Sequence, residues 1–395
     1  MPIAVAIGAL LALRMAGAGF DGDPLSVLTS SPDRLWGIAD RRGPVIGVTL
    51  LVWLGAFGVA LAASRGRMGP LSARLLALSV VYMPLLLLAT AALEPSVAAE
   101  RLLVVLGAPA LAGLTLAALG GYRALAFACA ATVLAYAIDL IAGSPLSRLS
   151  LVGPDPAGGH RFYGVGNELE AILVVLVLVG AGAALTGFAP RGWSESGSRR
   201  GAMAFIALAA VLSFVFAYGR YGADVGAAIA LPLGGAVAAA LLADRARLAL
   251  LALAVPLPAL AILAAADLLT GADAHLTSTV LQAESGGDVF AVLGRRLREA
   301  GESFGRPLLL ALLPVVLAAA LLAWLRRERL SAWLRDFPAV RAGMLGALAA
   351  TVAGTLANDS GALLLEIGAA YLLVFVAYAW AESRATVGDT RGRYP

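Results

Sequence analysis

Apolar runs long enough to cross a bilayer recur along this chain from its first residues almost to its last, and no other feature restricts its fold so severely. Hydrocarbon offers no water to a bare N–H or C=O, so a spanning segment must close its backbone bonds within a helix or in a sealed barrel. The runs hold roughly 17 to 25 apolar residues, the length a helix needs, and the alternation over about ten residues that marks barrel strands is missing. The expected fold is all-α, a polytopic helical membrane protein. Only 14% of the 395 residues are charged and mean hydropathy is +0.89, too little polar surface for a water-soluble domain.

Spans are expected near residues 2–20, 43–63, 73–93, 101–119, 124–142, 166–187, 201–218, 223–243, 248–267, 307–325, 340–357 and 361–381, about twelve in all. The first is read as a retained helix, because it lacks a basic leading segment and Arg14 interrupts it. Arginines then set the orientation, since basic residues stay on the cytoplasmic side. Arg65, Arg67 and Arg74, then Arg123, then Arg191, Arg199 and Arg200, then Arg245 and Arg247, then Arg326 to Arg341, and finally the tail occupy every second connection. Both termini are therefore expected in the cytoplasm. Residues 1–395 read as one integral membrane domain, with a Gly- and Ser-rich connection after Ala189 separating two candidate lobes, 1–188 and 201–385.

The opposite connections hold nearly all the unusual polar residues: Asp21, Asp23, Asp33, Arg34 and Asp40; His160 to Glu170; Arg220 to Asp224; Asp273 and His275; and Asn358, Asp359 and Ser360. The longest of these connections, 268–306, carries Val289, Phe290, Leu293, Leu297 and Phe304 at helical spacing beside Arg295, Arg296, Arg298 and Glu299. It reads as an amphipathic helix on the outer leaflet or as a cover over the bundle mouth. Composition also excludes several classes. Arginines scattered at helix ends form no nucleic-acid stripe, and lone Cys129 rules out an internal disulfide. Two histidines make a zinc site improbable, and no phosphate loop, nucleophile elbow or dinucleotide fingerprint is present.

Each outer residue carries a bland reading beside a chemical one. Asn167 and Glu170 have the spacing of a capping pair at a helix start. Glu168 gains from the helix dipole there, yet an interfacial carboxylate can also act as a base. Arg161 offers a planar fork for phosphate or carboxylate, His160 a proton relay, and Tyr163 lies between them and Asn167. Arg220 and Asp224, four apart, suit a local ion pair or an anion site. Asn358 to Ser360 suit a helix cap, while Glu366 lies inside an apolar run, where a carboxylate requires an arginine or a wet cavity. Asp273 and His275 would pair only in particular loop shapes. A divalent cation held by Asp21, Asp23 and Asp359 is the one cofactor the residues leave open.

The run Arg161-Phe162-Tyr163-Gly164-Val165-Gly166-Asn167-Glu168, together with Asn358-Asp359-Ser360-Gly361, resembles the signature of a group of uncharacterised bacterial multi-pass membrane proteins; Leu169 stands where that pattern has an aromatic residue. The resemblance implies a bacterial plasma membrane location and brings no activity with it. In layout the chain is also similar to polyprenyl-phosphate-dependent glycosyltransferases and polysaccharide ligases. The favoured expectation is an outer-face enzyme acting on a lipid-linked or phosphorylated envelope substrate. Arg161, Arg220 and Arg295 would hold the anionic headgroup, and Glu168, Asp23, Asp359 or His275 would serve as base or metal ligand. A transporter or lipid flippase, with Glu366 at its centre, and a non-catalytic envelope partner are the alternatives.

Overall fold

The computed structural model describes residues 34–35, 37–64, 66, 68–154, 163–188, 195–270, 294, 298–305 and 307–391. Among these residues there is no strand, and ten helices are long and apolar enough to cross a membrane. In chain order the helices are α1 (Ile38–Ala63), α2 (Gly69–Leu93), α3 (Val97–Leu119), α4 (Gly121–Ile141), α5 (Asn167–Phe188) and α6 (Glu195–Ala217). They continue with α7 (Val225–Leu242), α8 (Pro256–Thr270), α9 (Pro307–Leu325), α10 (Arg327–Trp333), α11 (Pro338–Ala357) and α12 (Gly361–Arg391). A 3-10 stretch, Ala246–Ala254, leads into α8 and its paired prolines, Pro256 and Pro258. Ten of the expected spans, from 43–63 to 248–267 and then 340–357 and 361–381, fall on those ten helices; the one at 307–325 falls on α9, which is not among the ten, and the 2–20 run lies outside the described residues.

The prolines inside these helices show how a spanning helix keeps its backbone satisfied. A proline lacks the N–H that would bond the carbonyl four residues back. In α2, Pro84 thereby releases Val80 O, which accepts the Tyr371 hydroxyl of α12 at 3.3 Å. In α3, Pro109 releases Val105 O, which accepts the Trp53 indole N–H of α1 at 3.0 Å. Near the start of α1 a π turn, Gly43–Gly47, leaves Pro44 O to accept from Arg101 Nε at 2.7 Å. Breaks in three helices have become cross-links between neighbours.

Lipid is as apolar as leucine, so these helices associate through close packing, which favours small residues where backbones meet. Helix α5 lies at the centre, buried from Leu169 to Gly180 against α4, α7, α11 and α12. A Cβ on Gly182 would stand 2.5 Å from Ala339 O, and one on Gly346 would stand 2.5 Å from Gly234 O. Cys129 is buried where α4 meets Gly180 of α5, which is core packing. Helices from either side of the 189–194 connection pack on one another, α5 on α11 and α2 on α12.

The ion pairs among the described residues lie at the two ends of the bundle. At one end Arg74 Nε meets Glu382 Oε1 at 2.7 Å, Arg123 Nε donates to Gly187 O and Tyr378 donates to Gly121 O. At the other end lie the starts of α1, α3, α5, α7 and α12.

Candidate functional site

Two tight turns build this second rim. Gly164 has φ +89°, a backbone shape only glycine adopts without strain, and any side chain on it would strike Gly222 O. The approach lets Val165 N donate to Gly222 O at 2.8 Å, while the half-buried Tyr163 hydroxyl donates to Gly219 O at 2.9 Å. The Gly-Tyr turn before α7 and the loop before α5 are thus locked together. Asp224 closes the turn by accepting Gly226 N at 3.1 Å, capping α7. Arg220 is exposed on the same turn.

Asn167 is the first residue of α5, and its side chain reaches away from its own helix. Its amide oxygen accepts Asn358 Nδ2 at 3.2 Å and its amide nitrogen donates to Asp359 Oδ1 at 3.4 Å. Instead of a cap on its own helix, this side chain bonds the turn between α11 and α12. Asn358 also donates to Glu170 Oε2 at 2.9 Å, and its own oxygen accepts Ser360 N at 3.2 Å, shaping the turn from which α12 starts. Glu170, 1% exposed, lies on the first turn of α7, where Gly226 provides the room: a Cβ there would stand 2.7 Å from both carboxylate oxygens. That position is the positive end of the α7 dipole. Residues 298–303, also helical, cover the start of α12, with Ala362 N donating to Ser303 Oγ at 2.9 Å.

A second cluster adjoins the first. Asp139, fully buried near the end of α4, accepts Leu146 N and Ser147 N, both at 2.9 Å, and so folds residues 142–154 back over the bundle. Three carbonyls of that segment then face Arg34, which precedes α1, and Arg42 in the first turns of α1. Arg34 Nε bonds Leu149 O, Arg42 Nε bonds Leu151 O at 2.9 Å, and Arg42 Nη2 reaches Gly153 O at 3.4 Å. Arg42 Nη1 also meets Glu168 Oε1 at 3.0 Å, both side chains remaining about a quarter exposed. Glu100, 0% exposed on α3, accepts from Arg34 at 2.7 Å, Arg41 at 2.6 Å and the Thr90 hydroxyl at 2.8 Å. Burial pulls the Arg34 guanidinium below its usual pKa, and the Glu100 carboxylate opposes that shift.

Beneath the Arg42–Glu168 pair lies a cavity of about 360 Å³ between α1, α2, α5 and α12. Arg42 and Glu168 are its charged lining residues; its walls are otherwise apolar but for the Tyr371 hydroxyl, already bonded to Val80 O.

Of the residues singled out in the sequence, the structure joins Asn167, Glu170, Asn358 and Asp359 directly, with Glu168 one residue away and Tyr163 and Asp224 in the adjoining turns. Glu366 stands apart. It is buried, its Oε1 has no hydrogen bond, and the arginine partner expected for it is absent among the described residues. His160, Arg161, Asp21, Asp23, Asp273 and His275 lie outside the described residues. Among the described residues no group of three potential metal ligands occurs.

The sequence reading overlooked Arg41, Arg42, Glu100 and Asp139. The signal was available for the two acids, because a carboxylate in or beside an apolar run needs a partner, the reasoning applied only to Glu366. Arg41 and Arg42 abut the run that begins at Gly43 and look like ordinary flanking charges. No protein-family model matches the chain, and no similar curated protein or solved structure was found.

Proposed function

We propose that the protein is an enzyme of the outer face of a bacterial plasma membrane, transferring a glycosyl or related group from a lipid-linked or phosphorylated envelope substrate. The observation that carries this reading is the bond between Asn358 and Asn167, which joins two polar motifs distant in the chain beside the partly exposed carboxylate of Glu168 and the exposed one of Asp359. Here a half-buried pair stands beside acids that still reach water.

A glycosyl transfer suits these groups. The substrate phosphate takes the Arg42 guanidinium, releasing Glu168 from its ion pair. Glu168 accepts the proton of an acceptor hydroxyl, the acceptor oxygen bonds to the anomeric carbon, and the bond from that carbon to the carrier phosphate breaks, leaving the carrier as its phosphate. Asn167 and Asn358 keep α5 and α12 in register. Arg220 supplies a further anion contact from the adjoining turn, and Arg161 is assigned the same role from the sequence.

The test compares lipid-linked envelope precursors in a deletion strain with those in strains carrying Glu168→Gln or Arg161→Ala. Accumulation of one precursor in all three supports the reading, and unchanged profiles in all three overturn it. A transporter or flippase is the second reading, favoured by Glu366, whose buried oxygen lacks a hydrogen bond inside a spanning helix. Loss of lipid movement across reconstituted vesicles on Glu366→Gln, with precursors unchanged, would select it.

A further inference from the structure

The cavity beneath Arg42 has the dimensions and chemistry of a seat for one hydrocarbon chain. It runs from Arg42 past Leu50 to Leu54, about 18 Å along α1 at the helical rise, more than half of a hydrocarbon core of about 30 Å. Its volume, about 360 Å³, falls in the range of small-molecule sites, roughly 300–1,000 Å³. A slot this deep and this apolar offers nothing to a polar solute.

Two features of its wall bear on how it fills. Leu54 is 57% exposed and Ala370 is exposed, so the slot opens sideways between α1 and α12 toward the lipid. Helix α1 packs loosely, with only 17% of its apolar window buried, in contrast to 89% for α2. A chain can therefore enter from the membrane without first passing through water.

The head end of the slot is set by charge. Arg34, Arg41, Arg42 and Arg101 are bonded to two carboxylates, Glu100 and Glu168, and otherwise to main-chain carbonyls, which leave a guanidinium its full charge. Asp40 on the same turn and Glu94 after α2, which also acts on Arg34, are exposed, where water screens them. Arg42 is held in place by Leu151 O and Gly153 O independently of Glu168, and its remaining N–H groups suit a phosphate oxygen.

We infer that this slot binds a phosphate-headed amphiphile, its single hydrocarbon chain lying between α1 and α12 and its phosphate on Arg42. The inference deepens the function proposed above, on which the choice of a phosphate head rests.

The test uses the full chain in lipid nanodiscs and a long-chain alkyl phosphate carrying a mid-chain photoreactive diazirine, compared with the same chain ending in a neutral hydroxyl. The phosphate probe should label peptides containing Leu50, Leu54 or Ala370. Ala370→Trp, which fills the slot from its lipid side, should cut that labelling about tenfold or more. Arg42→Gln should remove most of the preference for phosphate over hydroxyl, about tenfold for one charge-assisted contact. Should Arg42→Gln fail to fold, Ala370→Trp and the two probes still decide the matter.

Equal labelling by both probes overturns the inference, as does labelling that Ala370→Trp leaves unchanged. A lipid-independent crosslink from a photoreactive residue at position 54 to residues 1–33 also overturns it, because the chain itself would then fill the slot. Labelling with no group transfer defeats the enzymatic reading alone; transfer with no labelling of the slot defeats only this one.

Discussion

At Asn358 a single amide holds three residues, donating to Asn167 and Glu170 of α5 and accepting from Ser360 in the turn before α12. Asn358→Ala leaves the buried Glu170 carboxylate without that donor and is expected to cost about 1–3 kcal/mol, read as a lower midpoint in detergent unfolding. Asn358→Asp should cost more at neutral pH, because it sets a second carboxylate against Glu170. Its deficit should shrink as pH falls and one of the two acids takes up a proton. Equal stability of the two variants across pH would show that Glu170 is not the group felt by residue 358. Glu100 is a stronger case, with two arginines on one buried carboxylate. Glu100→Gln should destabilise by about 3–5 kcal/mol, since uncompensated guanidiniums remain behind. Both arginines are masked in the sequence by their position in a polar loop, whereas Glu100 at the edge of an apolar run was legible as a residue in need of a partner.

At the scale of the element, the existence and rough position of the helices followed the apolar runs, because length and hydrophobicity are properties of a segment alone; the ends did not, since α6 begins at Glu195 rather than near 201 and α12 runs on to Arg391. Caps were less legible. Asp224 caps α7 as an acid before a helix should, and Asp224→Ala is expected to lower stability by roughly 0.5–2 kcal/mol. Asn167, with equally good spacing, does not cap α5; it serves the turn between α11 and α12, and nothing local distinguishes the two residues. Glycine behaves likewise. Gly346→Leu should push α7 and α11 apart, seen as aggregation on size-exclusion chromatography, because its neighbour is the backbone of Gly234. A leucine at Gly55 on α1, where a Cβ meets nothing within 4 Å, should leave the profile unchanged. From the sequence both are glycines in apolar runs.

For the whole molecule the decisive property is the segregation of ion pairs among the described residues to two ends. Cys129 is buried, so it leaves the labelling background low for single cysteines placed elsewhere. Cysteines at Arg220 and Asp359 should react with an impermeant thiol reagent from one side of intact cells or vesicles, and cysteines at Ser64 and Arg327 from the other. From the arginine distribution the second pair is the one expected to react from the cytoplasmic side. Reaction of Arg220 and Asp359 positions from opposite sides would dissolve the rim. What the sequence by itself determined was the class of fold, the positions of the spans described here and the set of connections richest in polar residues, all of which depend on segment composition in an apolar solvent. Which residues meet was decided only in three dimensions. Arg42 finds Glu168, and Asn167 finds Asn358, through helices that pack on close backbone contact, and such contact leaves no period or motif in the chain. The chain-sized slot is likewise a property of four helices together: its walls are the same leucines, valines and isoleucines that elsewhere simply face lipid.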